Sequence, residues 1–167
     1  MLSEQQLSTL AAAIAAETDP EFVALRDAGS TGLMAEWFNA EASPAYWVWR
    51  TVLSKRQVVS EVSPDNTSFS WTALINRSAA EQFGWAQVWN STLECNPSLL
   101  NVRQAFADIF SGGTGAATRA HLLAMARRPA TRGEKLFASG TGSKGAPALM
   151  GHEGDITDTD VVRAIHL

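Results

Sequence analysis

The sequence has one cysteine, no long hydrophobic run and few charged side chains. A single Cys95 excludes an intramolecular disulfide. No apolar run approaches the roughly 18 residues that a transmembrane helix requires, so we expect no membrane association. The first residues have neither a basic nor an apolar signal region, which predicts a protein made and kept in a reducing cytosol.

The composition is that of a folded domain. Hydrophobic residues make up 46% of the 167 positions and charged residues 18%, which excludes a disordered chain and leaves a lightly charged surface. A chain of this length buries roughly 70% of its unfolded surface. We therefore expect one domain that folds without a metal ion or a disulfide.

The motifs of catalysis and cofactor binding are incomplete. Residues 140–145, Gly-Thr-Gly-Ser-Lys-Gly, resemble a phosphate loop, but Ser143 precedes Lys144 and no apolar strand leads into them. The acidic residues around His152 lack the spacing of a calcium loop or a zinc site. Cys95 has no identifiable histidine partner, and we expect His121 to be a surface or interface residue. The sequence therefore predicts no enzyme activity and no cofactor.

Capping signals and helical spacing predict a mainly α fold. Capping boxes are expected at Ser3/Gln6, Ser54/Gln57 and Thr131/Glu134, and caps at Asp19 and Thr157. Further helices are expected to begin at Asn76 and at Asn96-Pro97, the latter closed by Gly112-Gly113. We predict a bundle of about six to eight short helices in residues 1–139. Residues 140–167 form a glycine-rich C-terminal arm, either flexible or a small β-hairpin, within the same domain or extended onto a neighbouring subunit.

All six tryptophans lie within 53 residues, and neither end of the chain has any. They are Trp37, Trp47, Trp49, Trp71, Trp85 and Trp89. Large aromatic side chains supply buried area in cores and anchor many protein–protein interfaces. The concentration favours a protein that works by being held against other proteins.

Charge is unevenly distributed. Residues 1–76 carry a formal charge of −5, residues 77–151 carry +4, and the last sixteen carry −3. Such segments can attract each other within one molecule or between copies, or the asymmetry can be that of an ordinary solvated surface. The basic stretch from Arg103 to Lys144 also permits weak contact with DNA, although its phenylalanines have the spacing of core residues.

Several strings resemble small structural proteins of tailed bacteriophages that are encoded among the head and tail genes. They are Ser-Pro-Ala-Tyr-Trp-Val-Trp-Arg-Thr at 43–51, Asn-Pro-Ser-Leu at 96–99 leading into 101–106, Arg-Arg-Pro-Ala-Thr-Arg at 127–132 leading into 134–142, and Gly-Asp-Ile-Thr at 154–157 ahead of Asp160-Val161. The resemblance covers roughly residues 30–165.

The resemblance implies a head–tail connector, or adaptor, of the virion neck. Such proteins are helical, assemble in the host cytoplasm, and dock beneath the portal as a homo-oligomeric ring, for which a dodecamer is one candidate size. Portal, tail or other neck proteins would be its partners, and packaged DNA a non-specific contact. The residues expected at interfaces are Trp47, Trp49, Arg127, Arg128, Arg132 and Lys144.

Two other readings remain open at this point. The chain is alternatively another virion component, such as a head-decoration or tail-completion protein, which would bind a lattice rather than a ring. It is alternatively a phage-encoded regulator that binds nucleic acid.

Overall fold

The computed structural model describes all of residues 1–167. Its ten helices are α1 (Glu4–Ala16), α2 (Pro20–Asp27), α3 (Thr31–Asn39), α4 (Lys55–Ser60), α5 (Trp71–Ile75), α6 (Ala79–Gln87), α7 (Leu100–Ile109), α8 (Gly112–Met125), α9 (Arg132–Phe137) and α10 (Asp158–Ile165). Its strands are β1 (Trp47–Trp49), β2 (Leu53–Ser54), β3 (Glu94–Cys95) and β4 (Arg127–Pro129). β1 pairs with β4, and β2 pairs antiparallel with β3. The mainly helical prediction is confirmed.

The chain divides into two compact units. The terminal unit comprises Met1–Val48 and Pro129–Leu167, and the central unit comprises Trp49–Arg128. The residues expected to form an arm, 140–167, therefore belong to the same unit as the first 48 residues. Each unit has its own cluster of buried apolar side chains.

Local capping interactions fix where many of the helices begin. The expected capping boxes at Ser3/Gln6, Ser54/Gln57 and Thr131/Glu134 and the caps at Asp19 and Thr157 are all present. In each box a hydroxyl accepts from the N–H three residues later, while the side chain there accepts from the N–H of the cap. These starts are readable from sequence because the capping residues are close neighbours in the chain.

Two expected boundaries are wrong. Asn76 ends α5 instead of starting a helix, and α6 begins after Ser78, which forms a capping box with Glu81. The helix after Asn96-Pro97 ends at Ile109, so Gly112 opens α8 rather than closing α7. Gly112 has φ +69°, a conformation that glycine adopts readily at either end of a helix.

The core of the terminal unit joins both ends of the chain. Its buried side chains are Leu2, Leu7, Leu10, Ile14, Phe22, Met34, Ala35, Phe38, Ile156, Val161 and Ala164. The Leu2 N–H donates to Asp160 Oδ1 at 3.2 Å. The Asn39 side chain exchanges two hydrogen bonds with the backbone of Ile156, at 2.8 and 2.9 Å. The last helix is therefore a structural part of this unit.

The glycine-rich segment forms the expected small hairpin. Ser139 and Leu149 exchange backbone hydrogen bonds of 2.8 and 2.9 Å, and the Trp47 N–H donates to the Gly142 carbonyl at 2.7 Å. The Tyr46 ring lies so close to Gly142 that an added Cβ would be 2.0 Å from it. A side chain at position 142 would displace this ring, and the φ of +64° there also favours glycine.

The central unit is built around aromatic rings and one buried histidine. Trp85, Trp89, Phe106 and Phe110 lie in its core. His121 is 0% exposed, and its two ring nitrogens lie 2.8 Å from the Val58 carbonyl oxygen and 2.9 Å from that of Thr67. The expectation of a surface or interface histidine is therefore wrong, because the imidazole joins α8 to α4 and to the loop before α5.

We expect Ile156→Ala to destabilise the protein by about 2–4 kcal/mol, since it leaves a cavity in the core of the terminal unit. Ile156 is 1% exposed, whereas Ile165 is 46% exposed. The matched change Ile165→Ala should therefore cost less than about 0.5 kcal/mol. Urea denaturation followed by circular dichroism measures both. Equal losses would contradict a core that includes the C-terminal segment.

The free energy of unfolding should depend on the protonation of Asp160 at low pH. Burial opposes its ionisation, but hydrogen bonds from the Thr157 hydroxyl and from the N–H groups of Leu2 and Thr157 outweigh burial and lower its pKa below the ordinary 3.8. Because the pKa of Asp160 is lower in the folded than in the unfolded state, its carboxylate stabilises the folded state at pH values above the pKa of the unfolded chain. This contribution is lost as the pH falls from that value through the pKa of the folded state. The difference in unfolding free energy between wild type and Asp160→Asn should be constant near neutrality and shrink below pH 3.8. A difference that grows on acidification would contradict this account.

Candidate interaction surface

The six tryptophans divide between the two units. Trp37 and Trp47 belong to the terminal unit, and the other four belong to the central unit. Trp85 and Trp89 are only 3% and 6% exposed, with ring centroids 4.9 Å apart. These two rings belong to the core and are not available to a partner protein.

The predicted interface residues Trp47 and Trp49 are half-buried, and each ring contacts a cation of its own unit. Lys144 Nζ lies 5.5 Å from the centroid of the Trp47 ring. The Arg103 guanidinium carbon lies 4.5 Å from the centroid of the Trp49 ring. Cation–π contacts of this kind stabilise local structure by about 0.5–1 kcal/mol at exposed sites.

Two other predicted interface cations, Arg127 and Arg132, also contact their own units. Arg127 and Arg128 lie in the central unit, and Arg132 lies in the terminal unit. Arg127 forms an ion pair with Asp65. Arg132 stacks at 3.7 Å over Trp37 and donates to the Trp37 carbonyl at 3.1 Å. The side chains of Arg127 and Arg132 therefore stabilise their own units. A role in an interface would use the atoms of these side chains that remain exposed.

The two units carry opposite formal charges. The terminal unit has twelve Asp and Glu against five Lys and Arg, which gives −7. The central unit has five Asp and Glu against eight Lys and Arg, which gives +3. The uneven distribution of charge along the sequence therefore becomes a difference in net charge between the two units.

The central unit exposes a group of large apolar side chains that the sequence analysis did not single out. Trp71 and Ile75 of α5 are 53% and 65% exposed, and Phe83 of α6 is 67% exposed. We call these three residues the α5–α6 face. Exposed apolar side chains of this size are candidate contact residues for a partner protein.

A shortage of charge in the sequence could have revealed this face. Residues 66–93 contain only two charged side chains, Arg77 and Glu81. These two lie 3.8 Å apart, so the 28-residue stretch is close to neutral. The centres of protein–protein interfaces are depleted in charge and enriched in aromatic residues.

Metal ligands, the Cys95 thiol and the main cavity of the terminal unit are the features that bear on catalysis or ligand binding. No cluster of three or more His, Cys, Asp or Glu is arranged to hold a metal ion. Burial raises the pKa of the Cys95 thiol to about 12, which makes it a poor nucleophile. A cavity of about 580 Å³ in the terminal unit has Arg132, Lys135, Glu17 and Asp19 in its lining, so its two cations are matched by two carboxylates.

No protein-family model matches the sequence, and no curated protein or solved structure is significantly similar to it. None of the ten helices has the length and apolar character needed to cross a bilayer.

The difference in burial between Trp85 and Trp71 predicts a large and a small loss of stability for two substitutions in the central unit. Trp85→Ala should destabilise the protein by about 3–5 kcal/mol, because Trp85 fills the core. Trp71→Ala should change stability by less than about 1 kcal/mol, because this ring is half exposed. Thermal and urea unfolding of the two variants measure the difference. A large loss for Trp71→Ala would contradict its assignment to the surface.

Proposed function

We propose that this chain is a non-enzymatic structural protein of a phage virion, a head–tail connector that forms a homo-oligomeric ring beneath the portal and joins the capsid to the tail. Its partners in this proposal are further copies of itself, the portal, and tail or neck proteins. It would be assembled in the host cytoplasm and remain in the virion. The phage assignment rests on the sequence resemblance, and the proposal of self-assembly rests on the structure.

The observation that carries the proposal is the opposite charge of the two units. A ring is built from heterologous contacts, in which one surface of a subunit meets a different surface of the next. A chain with an acidic unit of −7 and a basic unit of +3 carries opposite net charges in every copy, which supports attraction between unlike units of neighbouring copies. Electrostatic complementarity of this kind orients partners and speeds their association.

The positive central unit also supports contact with packaged DNA. Its charge of +3 is modest, so we propose a non-specific contact with phosphate groups along a DNA path. Raising the salt concentration should weaken such a contact, as it does for any binding that releases counterions.

The copy number in purified phage particles tests the proposal. A connector ring predicts about twelve copies per virion by quantitative mass spectrometry against the portal protein. Hundreds of copies would instead establish a head-decoration protein. Absence from particles would leave the regulator that binds nucleic acid.

A further inference from the structure

We propose that His121 is a pH-responsive link in the core of the central unit. With a proton on each ring nitrogen, the imidazole holds the end of α4 and the turn of residues 63–67 to α8. Loss of one ring proton changes which atom of Thr67 the ring binds and loosens that turn. The inference concerns the central unit alone and does not depend on the proposed function.

Both nitrogens of the His121 ring face carbonyl oxygens. Nε2 lies 2.8 Å from the Val58 oxygen, and Nδ1 lies 2.9 Å from the Thr67 oxygen. A carbonyl oxygen only accepts hydrogen bonds, whereas a neutral imidazole has one N–H donor and one nitrogen with a lone pair. Either neutral tautomer would therefore direct a lone pair at one of these two oxygens. Only the imidazolium, which has an N–H on each nitrogen, donates to both.

The two carbonyl groups suit a cation. The Val58 carbonyl is among the last four of α4, which have no N–H partner within the helix. The C-terminal end of a helix is electrically negative and favours a charged histidine. Hydrogen bonds from a charged donor are also roughly twice as strong as those between neutral groups. The positions of both acceptors therefore favour the doubly protonated ring.

Burial acts in the opposite direction. His121 is 0% exposed, and its only polar partners are the two carbonyls and the hydroxyl of Thr67. Desolvation penalises the charged form of a buried ring, and no carboxylate offsets that penalty here. The second proton is therefore held by hydrogen bonds alone, and we expect the ring to release it within the pH range in which histidine changes charge.

The charged groups of the surrounding elements leave this balance to the ring and its acceptors. The elements that pack against α8 are α4, α5 and α7. The charged side chains on them, on α8 itself and on the loop that the ring holds are Lys55, Arg56, Glu61, Asp65, Arg103, Asp108 and Arg119. None of these is a hydrogen-bond or ion-pair partner of His121, and Asp65 is paired with Arg127.

Thr67 offers the same ring nitrogen both an acceptor and a donor. Its hydroxyl oxygen lies 3.4 Å from Nδ1, farther than its carbonyl oxygen. A neutral ring that keeps its Nε2–H on Val58 has an Nδ1 that can accept only from this hydroxyl. The same hydroxyl lies 2.6 Å from that of Ser63, whose N–H donates to the Thr67 carbonyl at 2.9 Å. Exchanging the carbonyl for the hydroxyl therefore disturbs the turn that Ser63 and Thr67 close.

Heteronuclear NMR of the ring nitrogens in the full chain tests the proposal. At about pH 6 His121 should show two ring N–H resonances, and at about pH 8 only that of Nε2. The exposed His166 is the internal reference, because its ring protons exchange freely with water. One His121 N–H resonance at both pH values would mean a neutral ring, and two at both would mean a permanent cation. Either result overturns the proposal.

A matched pair of threonine variants tests the exchange of partners. Thr67→Val keeps the carbonyl and removes the hydroxyl, so it should show both ring resonances at about pH 6 and retain the second to a higher pH than wild type. Thr72→Val removes an exposed hydroxyl of α5 and should behave as wild type does. Loss of a ring resonance from Thr67→Val at about pH 6 would show that the hydroxyl is the partner of Nδ1, which overturns the proposal.

Amide hydrogen exchange measures the release of the turn. Between about pH 6 and about pH 8, exchange of the Ser63 N–H should accelerate at least about tenfold beyond its intrinsic rise with pH, as the loss of a charged hydrogen bond predicts. The Ala126 N–H, which donates to the Leu122 carbonyl at 2.9 Å, should show only the intrinsic rise. Unchanged protection of Ser63 while the ring loses its proton would overturn the link to the turn.

Discussion

The contact between the two ends of the chain is the constraint on which the rest of the structure depends. Leu2 donates to Asp160, and Arg163 pairs with Glu4 at 2.9 Å, so α10 closes the core that α1 begins. The cost of closing a loop rises only slowly with its length. The 80 residues of the central unit can therefore be inserted between the two halves of the terminal unit, provided that they form a core of their own.

This arrangement gives the C-terminal helix one buried side and one exposed side. Its inner side, with Ile156 before it and Val161 and Ala164 within it, is needed for folding, whereas Val162 and Ile165 remain exposed. A deletion of the C-terminal segment would remove both at once and could not separate assembly from stability. Single substitutions on opposite sides of α10 separate the two because the helix itself stays in place.

The sequence predicted what is local and missed what is distant. Capping pairs such as Ser54 and Gln57 were readable because each lies within one turn of helix. The burial of His121 depends on carbonyls of Val58 and Thr67, more than fifty residues away. The tryptophans looked like one surface because they are close in sequence, but their environments are set by long-range packing. For the candidate site, the tryptophan pattern did not separate the buried Trp85 and Trp89 from the partly exposed Trp47, Trp49 and Trp71, because burial depends on packing between distant segments.

The α5–α6 face is only partly used by the fold: Trp71 packs edge to face against Phe69 with ring centroids 5.2 Å apart, whereas Ile75 and Phe83 are about two-thirds exposed. Single exposed apolar residues are ordinary on protein surfaces, but Trp71, Ile75 and Phe83 stand in a stretch whose only two charges are paired with each other. Ile75 and Phe83 gain little hydrophobic stabilisation from the folded state, because most of their surface remains in water. Their area would contribute about 25 cal/mol per Å² only when another surface removes it from water. A surface that covered Ile75 and Phe83 would gain this contribution without having to compensate an unpaired charge of Arg77 or Glu81.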